Sequence, residues 1–136
     1  MATQNKNLSL FDKTDIPSAK GMRFGIVVAN WNKEITSHLL DGAKQTLLGC
    51  GVLKSDINVM EVPGSFELLF GVKIMAKKEV DVIICLGSII QGETKHFNFV
   101  CNAVSVGIKD LNIVLDIPVI FGVLTISFVL MYVAPG

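Results

Sequence analysis

Apolar positions along this chain fall into short solid blocks, separated by stretches in which they recur every three or four residues. Residues 24–29, Phe-Gly-Ile-Val-Val-Ala, form the first block and read as a strand covered on both faces. Asn30, Trp31 and Asn32 then turn the chain. Ile35, Leu39, Ala43 and Leu47 follow at four-residue steps, which predicts a helix with Asn32 as its N-cap and Gly49 and Gly51 at its end. Residues 57–62 predict a second strand. After Pro63 and Gly64 a second helix is predicted, turning Phe66, Leu69, Phe70 and Ile74 inward and finishing in Lys77 and Lys78, cations suited to a helix C-terminus. Residues 81–86 read as a third strand that ends before Gly87. Phe97, Val100, Cys101, Val104, Ile108 and Leu111 fall on one helical face, predicting a helix that begins near Glu93 or Thr94 and runs to about Asp110. Residues 118–124, Pro-Val-Ile-Phe-Gly-Val-Leu, predict the fourth strand.

Strands alternating with helices at this spacing imply right-handed crossovers and a parallel sheet with helices on both faces, a three-layer αβα sandwich. Every strand-to-helix turn of such a sheet lies at its carboxyl edge, where open α/β sheets bind ligands. The loops at Trp31, at Gly64 to Glu67 and at Gly87 to His96 therefore share one rim.

Composition narrows the function. The 136 residues suit one domain, with residues 1–22 as a polar N-terminal arm, 23–125 as the folded unit and 126–136 as an apolar tail. Twelve basic and twelve acidic residues give zero formal net charge and no basic stripe, so nucleic acid is not an expected partner. Cys50, Cys85 and Cys101 are odd in number, lie on apolar patterns and lack paired metal-ligand spacing, as reduced thiols of a cytoplasmic protein would. The arm has no apolar run of the kind that makes a secretory signal. After Asp116, the last charged residue, the chain is almost wholly apolar, which raises its mean hydropathy to +0.57. Pro118, Gly122, Thr125 and Ser127 interrupt that run, and its first half is β-branched like a buried strand, so a membrane span is not expected.

The chemistry gathers at the predicted rim. His96 falls in the first turn of its helix, where free backbone N–H groups and the positive end of the dipole favour a phosphate. The same field disfavours a protonated imidazole and suits proton exchange near neutral pH. A surface histidine on a packing helix is the plainer alternative. Trp31, the single tryptophan, offers a flat ring for stacking on a heteroaromatic ligand, or else plugs the sheet edge. Glu67 can accept hydrogen bonds from ligand hydroxyls or amines, or serve only as a dipole partner. Gly64 and Gly87 permit close backbone approach and are also ordinary turn punctuation. His38 reads as a solvated residue with no role.

Four segments together resemble the 6,7-dimethyl-8-ribityllumazine synthases of riboflavin biosynthesis. They are residues 24–32 (Phe-Gly-Ile-Val-Val-Ala-Asn-Trp-Asn), 62–68 (Val-Pro-Gly-Ser-Phe-Glu-Leu), 87–97 (Gly-Ser-Ile-Ile-Gln-Gly-Glu-Thr-Lys-His-Phe) and 118–125 (Pro-Val-Ile-Phe-Gly-Val-Leu-Thr). The resemblance implies a four-stranded parallel sheet in flavodoxin-like order, a homo-oligomer of pentamers or larger shells, and no cofactor or metal. It also implies that Trp31 stacks on the pyrimidinedione of 5-amino-6-(D-ribitylamino)uracil, and that Ser65, Phe66, Glu67, Ser88, Ile89 and Ile90 bind its polar edges and ribityl chain. Glu93 and Thr94 would hold the phosphate of 3,4-dihydroxy-2-butanone 4-phosphate, His96 would donate protons, and Phe121 would reach the site of a neighbouring subunit. Two other readings suit the same fold: an impaired structural subunit that keeps the assembly without turnover, and a generic small-ligand binding module.

The resemblance stops after Thr125. Members of that family continue with a polar turn and two amphipathic helices, including an arginine that grips the phosphate. This chain reads Ile-Ser-Phe-Val-Leu-Met-Tyr-Val-Ala-Pro-Gly there, and its sole arginine, Arg23, begins the first strand at the opposite edge of the sheet. Activity below that of a full-length member, and poor solubility outside the oligomer, are the corresponding expectations.

Overall fold

The computed structural model describes residues 16–92 and 95–126. Strand β1 (Phe24–Ala29) leads to helix α1 (Lys33–Gly49), then β2 (Ile57–Val62), α2 (Leu68–Met75), β3 (Val82–Ile90), α3 (His96–Val114) and β4 (Val119–Ile126). The four strands form one all-parallel sheet in the order β2-β1-β3-β4. This is the flavodoxin-like order within a three-layer α/β sandwich. β1 is central, and every residue in it is buried, because it carries helices on both faces. Ile26 and Val28 point to the α1 side, where Leu39, Leu40, Ala43 and Leu47 meet them. Val27 and Ala29 alternate to the other side and join Leu68, Val72, Val104 and Ile108 of α2 and α3.

Four local readings of the sequence need correction. The inward face of α2 is Leu68, Gly71, Val72 and Met75, whereas Phe66 and Phe70 are 58% and 64% exposed. A tight 3-10 turn at Ser65–Glu67 precedes the helix and rotates its phase, and glycines make the closest contact with the sheet. A Cβ on Gly71 would meet Val27 Cγ1 at 2.5 Å, and one on Gly25 would meet Met75 Cγ at 2.5 Å. An apolar face that includes a glycine is invisible to a count of large side chains.

The second correction concerns β3, which runs on past Leu86 to Ile90. Gly87 and Ser88 are strand residues in register with Val123 and Leu124 of β4. Gly87 is no turn: the space its Cβ would fill is taken by Ser65 Oγ at 2.7 Å and Leu68 Cδ1 at 3.2 Å. Thirdly, α3 extends past Asp110 to Val114, and its first described helical residue is His96. β4 likewise ends at Ile126 rather than Leu124.

At the amino edge Arg23 is anchored away from the rim. Its guanidinium donates to Glu79 Oε2 at 3.0 Å, and its backbone N–H to Asp81 Oδ2 at 2.7 Å. No helix among the described residues is long and apolar enough to cross a membrane. Of the apolar tail read at 126–136, Ile126 closes β4 and residues 127–136 lie outside the described residues, as do residues 1–15 of the N-terminal arm.

Candidate active site

The first two loops of the carboxyl edge are stitched together by main-chain hydrogen bonds that extend the β1–β2 ladder beyond the strands. Asn30 N–H donates to Val62 O at 2.7 Å, and Trp31 N–H to Pro63 O at 2.9 Å. The indole of Trp31 is thereby held beside the Gly64 turn, 64% exposed. A long contact of 3.5 Å from Ser65 Oγ to Ser88 O ties the second loop to the end of β3. The result is an open cleft of about 680 Å³ bounded by Trp31, Asn32, Gly64 to Glu67, Ser88 to Gly92, His96 and Val100.

Each wall of this cleft has a distinct chemistry. Trp31 and Phe66 supply exposed aromatic surface. Ser65 and Ser88 form a buried polar floor, at 6% and 1% exposure. The Glu67 carboxylate curls back over the turn, with Oε2 only 3.3 Å from where a Gly64 Cβ would stand. Opposite lies the N-terminus of the 19-residue α3, with no acidic residue in its own first turn to offset the dipole and His96 as its first residue. Lys95 occupies the N-cap position and gives no side-chain cap.

Of the residues singled out from sequence, Trp31, Ser65, Phe66, Glu67, Ser88, Ile89, Ile90 and His96 come together in this one cleft. Glu93 and Thr94 lie outside the described residues. Phe121 is not in the cleft; it is half exposed on the edge strand β4, over a separate hollow of about 460 Å³ against α3. His38 is exposed on α1, as expected for a solvated residue.

Sequence reasoning missed Asn32 as a cleft residue. It holds the N-cap position of α1 but caps nothing with its side chain; its backbone is left-handed, φ 59° and ψ 55°, the only non-glycine with positive φ among the described residues. Its Nδ2 is buried in the cleft wall without a hydrogen-bond partner among the described residues, and so is Ser88 Oγ. Buried polar groups are ordinarily paired, so these two atoms stand out as unsatisfied polar groups in the cleft wall. The signal available in sequence was an asparagine directly after the tryptophan in a strand-to-helix turn, since Asn is the residue besides glycine that best tolerates this backbone.

The three cysteines are all free. Burial pushes the Cys85 thiol up to about 12 and raises that of Cys101, so neither offers a thiolate at neutral pH. Among the described residues no three His, Cys, Asp or Glu side chains converge as a metal site would need.

Residues 21–128 match the 6,7-dimethyl-8-ribityllumazine synthase family. Among curated relatives, the chain is 57% identical over 126 residues to the 6,7-dimethyl-8-ribityllumazine synthase of Flavobacterium johnsoniae, covering 92% of this chain and 66% of that protein. It is 55% identical to that of Christiangramia forsetii, covering 76% of that protein, and 53% identical to that of Flavobacterium psychrophilum, covering 67%. With the parallel sheet and the cleft at its carboxyl edge, these matches show that the chain belongs to the 6,7-dimethyl-8-ribityllumazine synthase family.

Proposed function

We propose that the chain condenses 5-amino-6-(D-ribitylamino)uracil with 3,4-dihydroxy-2-butanone 4-phosphate to 6,7-dimethyl-8-ribityllumazine, in the cytoplasm. The observation that carries this reading is the convergence of Trp31, the Ser65 and Ser88 floor, Glu67 and His96 in one cleft. Trp31 stacks on the pyrimidinedione. Ser65 to Glu67 and Ser88 to Ile90 meet its polar edges and ribityl chain, and the Asn32 amide donates to a ring oxygen. Glu93, Thr94 and the first N–H groups of α3 hold the phosphate.

In this mechanism the ring's amine attacks the ketone and water leaves, giving an imine. Phosphate is then eliminated, and attack of the ribityl-bearing nitrogen on the remaining carbonyl closes the ring with loss of a second water. Each step moves a proton, and His96, at the rim between the ring and the phosphate ends, is the group that gives and takes it. The chain acts as a homo-oligomer, a pentamer or larger, in which Phe121 of one subunit closes the cleft of the next. The exposed aromatic rings of Phe66, Phe70 and Phe99 support such burial between copies.

The test is an absorbance assay of lumazine formation with the two substrates, alongside titration of the uracil against the fluorescence of the single indole. Product should form, and ligand should quench Trp31. Trp31→Ala should weaken uracil binding by about 1 kcal/mol or more. Binding without product would favour the impaired structural subunit, and neither would favour another ligand.

A further inference from the structure

Among the described residues β4 is an edge strand, and none of them pairs with its outer side except at its first residue. There the side chain of Asn112, from the last turns of α3, pairs with Val119 as a neighbouring strand would. Val119 N–H donates to Asn112 Oδ1 at 2.7 Å, and Asn112 Nδ2 donates back to Val119 O at 2.9 Å. The same Nδ2 also donates to Ile108 O, at 3.1 Å, in the preceding turn of α3. Both protons of this amide and one of the two lone pairs of its oxygen are thus spent on fixing the start of β4 to the helix. On the inner side, Ile83 N–H donates to Pro118 O at 3.0 Å, so the strand is gripped from both edges at the same level.

Phe121 stands two residues further on and shares a face with Val119 and Val123. Those two are buried against α3, whereas Phe121 is about half exposed and rests over the hollow lined by Ser105, Ile108 and Asn112. No described side chain cages the ring on its outer side, so its place along the edge depends on the register of β4. Gly122 constrains that register further: a Cβ there would come within 2.7 Å of Cys85 O, which seats β4 tightly on β3.

We propose that Asn112 is a positioning residue. By clamping Val119 it fixes where Phe121 projects, and so sets the affinity for the uracil substrate in the cleft of an adjoining subunit. This rests on the role given to Phe121 above. Asn112 touches no substrate; it acts only through the strand.

A double-mutant cycle on the assembled full chain tests this, with the dissociation constant of 5-amino-6-(D-ribitylamino)uracil read from Trp31 fluorescence. Asn112→Ala and Phe121→Ala should each weaken binding several-fold, and the double variant should bind no more weakly than Phe121→Ala alone. A general loss of packing would instead add in full on top of Phe121→Ala. Asn112→Asp keeps the acceptor for Val119 N–H but loses both donated bonds, and it serves the same cycle if the alanine variant does not assemble. Additive effects, or an Asn112 variant that binds as the parent does while Phe121→Ala is weakened, would overturn the inference and leave the Phe121 assignment standing. Unaltered binding by Phe121→Ala would overturn both.

Discussion

His96 and Cys85 show how placement on the same sheet-and-helix frame decides what a titratable group can do. His96 opens α3 at the solvent-exposed rim of the cleft, where an imidazole reaches both water and ligand. His96→Ala should lower turnover by about 10²- to 10⁴-fold while leaving uracil affinity nearly intact, because general acid–base help is felt in the transition state more than in ground-state binding. Steady-state kinetics beside an indole titration would show the split, and an undiminished rate would exclude the role. Cys85 sits in the middle of β3 with no exposure, and burial lifts its thiol from an ordinary 9.0 to about 12. The folded value lies above the unfolded one, so the stability linked to this group is complete below about pH 9 and is lost as pH climbs toward 12. Alkylating reagent near pH 8 should leave Cys85 untouched in the native chain and label it after denaturation, as peptide mass analysis would reveal. Native labelling of Cys85 as fast as that of the half-buried Cys50 would contradict this.

At the scale of elements, glycines set the spacing between layers, and the two at positions 87 and 42 make the point by contrast. An added methyl at Gly87 meets Ser65 Oγ and Leu68 Cδ1, so Gly87→Ala should push the Ser65–Glu67 turn off β3 and cost about 1–3 kcal/mol of stability. Uracil binding should weaken with it, since Ser65 floors the cleft. Gly42 lies within α1 with no atom of the described residues within 4 Å of a Cβ, and Gly42→Ala should stabilise the chain by roughly 0.4–1 kcal/mol. Denaturant melts of the two variants check both signs. The same glycines explain what the sequence concealed. β1 and β2 were legible to the residue because solid apolar blocks and flanking turns bound them, and the rim followed from the alternation of strands with helices. The face of α2 and the end of β3 were not, because Gly71 and Gly87 contribute to packing by what they lack, and periodicity weighs only what side chains add. The placement of Trp31, Glu67 and His96 in strand-to-helix turns at one cleft was legible, whereas the place of Asn32 in the cleft wall depends on a left-handed backbone and a buried amide that composition does not display.

At the scale of the whole molecule, the exposed apolar surface of the described residues supports the proposed assembly of several copies. Phe70 and Phe99 are 64% and 72% exposed on α2 and α3, the two helices of one layer. Val106, Ile113 and Val114 continue the outer surface of α3, and Ile120, Phe121 and Leu124 leave β4 half open. Scattered exposed apolar residues are ordinary, but Phe99, Val106 and Ile113 recur every seven residues along one face of α3 beside the edge strand, a pattern that suits cover by another protein chain. Since Phe70 and Phe99 add little to the core of their own chain, replacing either by glutamate should spare the fold while placing a charge in the proposed contact between copies. Phe70→Glu and Phe99→Glu should therefore keep the circular dichroism of the parent and shift its solution mass from that of the proposed pentamer or larger assembly toward the 14.7 kDa of one chain. Lumazine formation should fall with the loss of assembly, because the closure of a neighbouring cleft proposed for Phe121 would be lost. A parent chain that already sediments as a monomer, or glutamate variants that assemble unchanged, would show that this surface faces solvent.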